Sequence, residues 1–251
     1  MIKAVCSDTP TTRTRLRLTL LAPFRVDGGG APVRLPATAR RLVAILAVRG
    51  PMHRAAVAGE LWPDVSEDRA RASLRTTLWR LGRSAVPLVE VRPDTVAVAD
   101  SVEVDVAEFH VLATSLTSGV IVDGPELRAF TAMSGDLLPG WYDDWVLFER
   151  ERLRQIRLHT LETVASRLLR LGLSGRAIEV GLAAVQLDPL RESAHRVLIA
   201  AHLHDDNLGE AMRHYVEFRE LLGRELAIAP SARLTQMVAN RLPSLLRTGT
   251  G

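Results

Sequence analysis

The sequence predicts a mainly α-helical protein with a small β component, divided into two parts near residue 101. Before that point short alternating strands surround three helices, and after it the apolar residues recur at helical spacing. The charge changes at the same place, because residues 1–101 carry 16 basic and 9 acidic side chains and the remainder carries 16 basic and 20 acidic ones. We therefore predict a flexible tail over 1–13, one domain over 14–101 and an all-α domain over 102–245.

Composition excludes several classes of protein. With 251 residues, 47% of them hydrophobic, the chain is long enough to bury a core, so a disordered chain is excluded. No apolar run reaches the roughly 18 residues that a membrane span needs, and the first residues lack the apolar core of a secretory signal. The only cysteine, Cys6, excludes an intramolecular disulfide and a thiolate-rich metal site. The sequence thus predicts a soluble, cytoplasmic protein without membrane association.

The first part begins with short strands and continues with two helices. In the stretch 15–36 the alternating leucines Leu16, Leu18 and Leu20 share one face, and Gly28–Gly30 permits a tight turn, which predicts a small antiparallel sheet. Thr38 is the expected N-cap of a helix that ends at Gly50-Pro51 and buries Leu42, Ile45 and Leu46. A second short helix is predicted over 53–61.

A third helix, over 67–83, has one apolar and several cationic faces. Its apolar side carries Ala70, Leu74, Leu78 and Leu81. The segment 86–100 then predicts a β-hairpin with Arg92 at its tip. Three helices followed by a hairpin describe an N-terminal winged helix-turn-helix, in which the third helix enters the major groove of DNA. The alternative for the third helix alone is a solvated, arginine-rich surface helix.

From residue 102 the chain is expected to be entirely helical. Helices are predicted over 105–116, 124–132, 143–172, 174–187, 191–204, 207–222 and 231–241, with the clearest break at 134–140. Gly175-Arg176-Ala177 recurs as Gly209-Glu210-Ala211, a period of 34 residues, which is the length of a tetratricopeptide repeat. We predict a tetratricopeptide-like array of helical hairpins.

Several stretches of the chain resemble a known family. Residues 40–84, RRLVAILAVRGPMHRAAVAGELWPDVSEDRARASLRTTLWRLGRS, resemble the winged helix of OmpR-type response regulators and, more closely, that of the Streptomyces antibiotic regulatory protein family. Residues 102–113, 134–168 and 187–234, which include VEVDVAEFHVLA and SGDLLPGWYDDW, resemble that family's bacterial transcriptional activation domain. The resemblance spans about 15–241 and is more specific in the second half.

The resemblance implies a transcriptional activator that binds promoter repeats as a dimer and recruits RNA polymerase. It places the recognition helix on Glu67–Arg83, the loop that contacts the transcription machinery on Trp62–Asp68 and the wing on Val89–Val98. The chain departs from the family in its Trp79-Arg80-Leu81-Gly82-Arg83 segment, where many members carry a run like Ser-Arg-Leu-Arg-Arg. This departure affects the expected DNA sequence preference.

The helical wheel assigns roles to the exposed residues of the third helix. Thr76 and Arg80 lie opposite the apolar side and are the candidates for base edges. Phosphates are the expected partners of the flanking arginines and of the wing tip. The candidate DNA-binding residues are therefore Arg69, Arg71, Arg75, Thr76, Arg80, Arg83 and Arg92. Trp79 has two interpretations: contact with sugar or the wing, or, slightly preferred, burial against the second domain.

The loop before the third helix contains three acids. Ser66, Glu67 and Asp68 are interpreted as caps of the positively charged helix N-terminus. Asp64 lies two residues before the expected cap and is the candidate for contact with RNA polymerase.

The remaining side-chain clusters carry no predicted function. His195, His202, His204 and His214 lack HEXXH-type spacing and are interpreted as surface histidines, so no metal site is predicted. No nucleotide-binding loop or catalytic triad motif is visible, so neither a cofactor nor an enzymatic activity is expected. Two alternatives stay open: a protein-interaction scaffold whose winged helix is a docking domain, and a regulator whose helical domain senses a metabolite.

Overall fold

The computed structural model describes residues 16–28, 31–84, 86–119 and 124–241. The predicted tail, Cys6 and two of the three turn glycines lie outside them. The chain packs into two units, of which the first comprises 1–110 together with 135–142 and the second 111–134 together with 143–251. The domain boundary predicted at residue 101 stays a prediction.

The first unit contains two small sheets and three helices. The strands are β1 (Leu16–Thr19), β2 (Arg25–Gly28), β3 (Ala31–Pro32), β4 (Met52–His53), β5 (Val89–Val91), β6 (Thr95–Val98) and β7 (Val102–Val104). The helices are α1 (Ala37–Arg49), α2 (Arg54–Leu61) and α3 (Glu67–Gly82). One sheet has the order β3-β2-β1-β7 and the other the order β4-β6-β5.

The first sheet corrects two expectations. β1 pairs with β2 antiparallel but with β7 parallel, so the opening sheet is mixed rather than purely antiparallel. The chain is also not wholly helical from residue 102, because Val102–Val104 forms β7. Leu16, Leu18 and Leu20 are buried, as their alternation predicts.

Asp105 ties the end of β1 to the chain that follows β7. Its carboxylate accepts hydrogen bonds from the backbone N–H groups of Leu20, Leu21 and Val106 at 2.8–3.0 Å. Burial raises the pKa of this carboxyl group, while the three backbone donors act in the opposite direction. The carboxylate thereby satisfies backbone donors that no strand partner reaches.

The segment 135–142 packs in the first unit, although it follows helices of the second unit in the chain, and it forms no helix or strand. The backbone N–H of Leu138 donates to the carbonyl of Leu20 at 2.7 Å, and Trp141 stacks on Phe24 with ring centroids 5.9 Å apart. A Cβ atom at Gly135 would lie 2.0 Å from the carbonyl oxygen of Leu21, so only glycine fits this approach. The break that the sequence shows here is therefore a packing requirement.

The helices of the first unit follow the predicted pattern with local differences. α1 buries Leu42, Ile45 and Leu46, but its N-cap is Pro36, so the expected capping role of Thr38 is wrong. α3 buries Ala70, Leu74, Thr77 and Leu81, whereas Leu78 is only half-buried. Thr77 fits the apolar face because its hydroxyl donates to the carbonyl of Ser73 at 2.9 Å.

The second unit is built from helices. They are α4 (Asp105–Ser118), whose first turns lie in the first unit, α5 (Pro125–Ala132), α6 (Asp144–Arg170), α7 (Ser174–Leu187), α8 (Glu192–His204), α9 (Leu208–Leu226) and α10 (Ala232–Ala239). α6 and α8 end 34 residues apart, and α7 and α9 begin 34 residues apart. These boundaries confirm the tetratricopeptide-like repeat.

The helices of the second unit pack against one another through small and large apolar residues. Gly181 of α7 faces Leu198 of α8, and a Cβ atom at this position would lie at an ordinary contact distance of 3.5 Å from Leu198. Residues from α8, α9 and α10 form one buried cluster: Ile199, Leu203, Ala211, Tyr215, Phe218, Leu222, Leu234 and Val238. Among the described residues, no helix combines the length and the apolar character that crossing a bilayer requires.

Candidate nucleic-acid interface

The exposed side of α3 is the candidate interface, and its orientation follows from the buried side. Ala70, Leu74, Thr77 and Leu81 face the core, so the residues between them face solvent. All seven predicted DNA-binding residues are exposed: Arg69, Arg71, Arg75, Thr76 and Arg80 in α3, Arg83 at its C-cap and Arg92 in the hairpin turn. Six of these residues lie within the segment 69–83, and the hairpin contributes the seventh.

The arginines of α3 differ in their partners. Arg71 pairs with Glu67 at 2.5 Å, four residues earlier on the same helix. The side chains of Arg69, Arg75 and Arg80 make no hydrogen bond or ion pair with any other residue that the structure describes. Their guanidinium groups are therefore available to an external anion, whereas that of Arg71 is partly neutralised.

Thr76 and Trp79 complete the exposed face. The hydroxyl of Thr76 donates to the carbonyl of Ala72 at 3.0 Å, and the residue is exposed. Trp79 is 61% exposed, and the guanidinium carbon of Arg83 lies 4.9 Å from the centre of its ring. Trp79 is therefore exposed on the surface of the first unit, and its burial against the second domain stays a prediction.

The predicted hairpin is present and is held against the start of α2. β5 and β6 pair with Val91 opposite Val96, and the N–H of Arg92 donates to the carbonyl of Thr95. Arg54 holds the turn from the other side, because its guanidinium donates to the carbonyl of Arg92 and its backbone N–H to the carbonyl of Asp94.

The side chain of Arg92 pairs with Glu90 at 3.0 Å, so the wing-tip cation is partly neutralised. Sequence reasoning did not identify Arg54, since neither its spacing nor its neighbours form a recognisable pattern. The role of Arg54 is to position the turn that carries Arg92.

A groove of about 410 Å³ lies within the first unit between α3 and the hairpin turn. Its charged and titratable lining residues are His53, Arg54, Arg71, Arg75 and Asp94. Three arginines against a single carboxylate make the groove cationic, which suits a phosphate group.

The loop before α3 is exposed from Pro63 to Asp68. Asp64 has no hydrogen bond or ion pair with another residue in the described part of the chain. Ser66 is the N-cap, but its side chain makes no capping hydrogen bond, and Glu67 pairs with Arg71 instead. Ser66 therefore occupies the predicted cap position, and Glu67 and Asp68 lie in the first turn of α3. The i,i+4 spacing of Glu67 and Arg71 is the signal that identifies their ion pair.

Two of the four clustered histidines are buried in the second unit, contrary to expectation. The ring Nε2 of His195 lies 2.9 Å from the carbonyl of Pro189, and its ring stacks on Phe218. Burial lowers the pKa of His195 and also that of His202. His204, by contrast, lies near the surface, with Nδ1 2.9 Å from the hydroxyl of Ser174.

The comparisons with known proteins agree with this architecture. A family model described as "Bacterial transcriptional activator domain" matches residues 123–240. The regulatory protein AfsR of Streptomyces coelicolor is 30% identical over 237 residues, which cover 88% of this chain and 24% of AfsR. AfsR of Streptomyces griseus is 27% identical over 91% of this chain, and again 24% of that protein is covered. The chain thus spans about a quarter of the length of these curated relatives.

A solved structure has a similar fold. EmbR of Mycobacterium tuberculosis, in complex with a low-affinity phosphopeptide, superposes with a TM-score of 0.63 at 20% identity. The similarity covers 92% of this chain and 65% of EmbR, and it confirms the predicted fold class. Residues 123–240 therefore match a bacterial transcriptional activator domain, and the resemblance of the chain to the Streptomyces antibiotic regulatory protein family is confirmed.

Proposed function

We propose that this chain is a transcriptional activator that binds double-stranded promoter DNA through α3 and the β5–β6 wing and recruits RNA polymerase. The observation that carries the proposal is the exposure of Arg69, Arg75 and Arg80, which lie outside the buried face of α3 and whose side chains pair with no other described residue. A helix with this division inserts into the major groove while its apolar side stays in the core.

The proposed contacts divide into base and phosphate contacts. Arg80 is suited to the O6 and N7 atoms of guanine, and Thr76 to a thymine methyl or a polar base edge. Arg69, Arg75 and Arg83 contact phosphates, and Arg71 and Arg92 join them when DNA displaces their carboxylate partners. The cationic groove beside Arg75 is a seat for one backbone phosphate.

The proposed division of labour follows the predicted domains. Residues 14–101 bind DNA, and residues 102–245 provide contacts to a second copy of the chain when both occupy neighbouring promoter repeats. Helical repeats present extended surfaces that suit protein contacts. β7 and Asp105 lie just beyond residue 101 but pack in the first unit, so a DNA-binding fragment needs them as well.

The DNA proposal is tested by selecting bound sequences from random DNA with the full chain and then measuring affinity against salt. Log affinity should fall linearly with log salt, and Arg75→Ala should reduce the slope by about 0.9 for every sequence alike. Arg80→Ala should relax preference at one or two base positions at a cost of about 1–3 kcal/mol. Arg170→Ala removes an exposed arginine of α6 and serves as the matched control. An affinity independent of salt would overturn the proposal.

Recruitment of RNA polymerase is tested separately from DNA binding. Asp64→Ala should leave promoter affinity almost unchanged and reduce transcription in a purified system. The reason is that Asp64 is exposed in the loop before α3 and its side chain pairs with no other described residue, so it is available to a partner protein. Asp100→Ala removes an exposed acid from the turn after β6 and should reduce neither quantity. Normal transcription by the Asp64 variant would assign the polymerase contact to another surface.

A second candidate function, ligand sensing by the helical domain, is favoured by one observation. A cavity of about 310 Å³ in the second unit has a mainly apolar lining that includes Phe130, Leu161 and Leu187, and Arg157 also lines it. A metabolite that raises the melting temperature of the chain would support this function.

A further inference from the structure

Three potential metal ligands meet where α8 and α9 form a helical hairpin in the second unit. One ring nitrogen of His202, one of His214 and one carboxylate oxygen of Glu210 all lie within 4.8 Å of one another. Glu210 and His214 are four residues apart on α9, so they share one helix face, and His202 lies near the end of α8. The short connection 205–207 brings these two faces together.

The burial of His202 is a second, independent observation. His202 is 7% exposed, and its Nδ1 is buried without a hydrogen-bond partner among the described residues. Buried polar atoms in proteins normally have a partner, so an unpaired imidazole nitrogen requires an explanation. The ring of His202 lies nearly parallel to that of His214, with centroids 5.3 Å apart, so stacking explains the placement of the ring but not the unpaired nitrogen.

The charges around the cluster allow a cation to enter. Glu210 is paired with Arg213, which competes with any metal for this carboxylate. Arg213 has a second carboxylate within reach, because its Nε lies 3.9 Å from Glu217, and Glu217 is also 3.9 Å from Nδ1 of His214. Rotation of Arg213 toward Glu217 therefore releases Glu210 without leaving the guanidinium unpaired.

The donor set selects a class of metal. Two imidazole nitrogens and one carboxylate oxygen are the ligands of tetrahedral zinc sites, with a fourth position open to water. Magnesium and calcium prefer sites made of oxygen atoms alone. Metal–ligand distances of about 2 Å require the three side chains to draw together by rotation about their own bonds. We propose that His202, Glu210 and His214 bind one divalent transition-metal ion of the Zn²⁺ class, which links α8 to α9.

The test uses the full, untagged chain after treatment with a chelator. Co²⁺ titrated into the protein should produce the visible absorption of a tetrahedral site at one equivalent, and Zn²⁺ should displace it and raise the melting temperature. Mg²⁺ should do neither. His214→Gln and Glu210→Gln should each lower the affinity for Co²⁺ by at least about tenfold.

Controls separate this site from other histidines and from loss of fold. His204→Gln removes a nearby histidine that is bonded to Ser174 and should leave Co²⁺ binding unchanged. His214 and Glu210 are only half-buried, so the metal-free variants should keep the circular dichroism spectrum of the parent. A Co²⁺ spectrum that survives in both variants, or the absence of any such spectrum in the parent, would overturn the proposal.

Discussion

Two arginine-rich helices, α3 and α6, have the same net charge and distribute it in opposite ways. α3 contains four arginines and two acids, and α6 contains six arginines and four acids, so each has a net charge of +2. Three of the α3 arginines have no partner among the described residues, whereas four of the α6 arginines donate to carboxylates or main-chain carbonyls.

Spacing rather than net charge explains the difference. In α6, Glu149 and Glu151 each lie three residues before an arginine with which they pair. In α3 both acids occupy the first turn, so only Arg71 comes within reach of one of them. The later turns of α3 therefore keep a positive electrostatic potential at the surface, while most arginines of α6 pair with carboxylates or carbonyls of the protein itself.

The largest expected effect comes from removing a structural arginine. Arg167 of α6 donates to the carbonyls of Leu116 and Gly119 at 2.8 and 2.9 Å and also to that of Thr117. These carbonyls lie at the C-terminal end of α4, where the last carbonyl groups of a helix have no N–H partner within the helix. Arg167→Met should lower the free energy of unfolding by about 2–3 kcal/mol, measured by chemical denaturation followed by circular dichroism.

The same change in α3 is the matched control. Arg75→Met should alter the free energy of unfolding by less than about 0.5 kcal/mol, because this side chain is exposed and bonds to no other described residue. Equal destabilisation by the two variants would remove the distinction between the helices.

A buried histidine extends the comparison to pH. Burial keeps the pKa of His195 below its ordinary value of 6.5, mainly because a charged ring is poorly solvated there. The unfolded chain therefore takes up a proton near pH 6.5 that the folded chain does not, and stability is full above that pH and falls below it. His195→Gln should flatten this fall, measured in chelator as the free energy of unfolding from pH 7.5 to 5.5.

The control for the pH dependence is another histidine of the same helix. His204→Gln should leave the slope unchanged, because its ring is half exposed and bonded to Ser174. A slope that persists in His195→Gln would assign the dependence to other groups.

The sequence predicts the elements of both units well, because most depend on local periodicity. The buried positions of α1, the β5–β6 hairpin and the 34-residue repeat all follow from spacing alone. The parallel pairing of β1 with β7 and the return of 135–142 do not, because they join residues distant in the chain. Those contacts depend on tertiary packing, which a periodic pattern does not encode.

The candidate interface is predictable to a similar extent. The helical wheel correctly identifies the exposed face of α3, because exposure follows from the apolar face. It does not show that Arg54 holds the hairpin turn or that Trp79 is exposed beneath Arg83. Wheel positions give directions, whereas partners depend on rotamers and on neighbouring elements.

A carboxylate inside α6 is expected to have an intermediate effect. Glu149 is buried and accepts a hydrogen bond from Arg152 at 2.6 Å. Glu149→Gln keeps the shape but removes the charge, so the free energy of unfolding should fall by about 1–2 kcal/mol. Glu151→Gln changes a more exposed acid of the same helix and should cost less, which chemical denaturation of both variants would check.

The smallest expected effect concerns the single neutralised arginine of α3. Glu67→Gln removes the partner of Arg71, so the guanidinium becomes available to a phosphate and a negative charge near the DNA is lost. Affinity for all DNA sequences should rise by about twofold to fivefold, with a steeper dependence on salt, since an exposed pair is worth at most about 1 kcal/mol.

Glu103→Gln removes an equal charge from β7 and corrects for the change in overall charge. If both variants raise the affinity equally, Arg71 does not reach the backbone. A rise specific to Glu67→Gln would show that the acids of the first turn restrain DNA binding, because they neutralise the one arginine that lies within their reach.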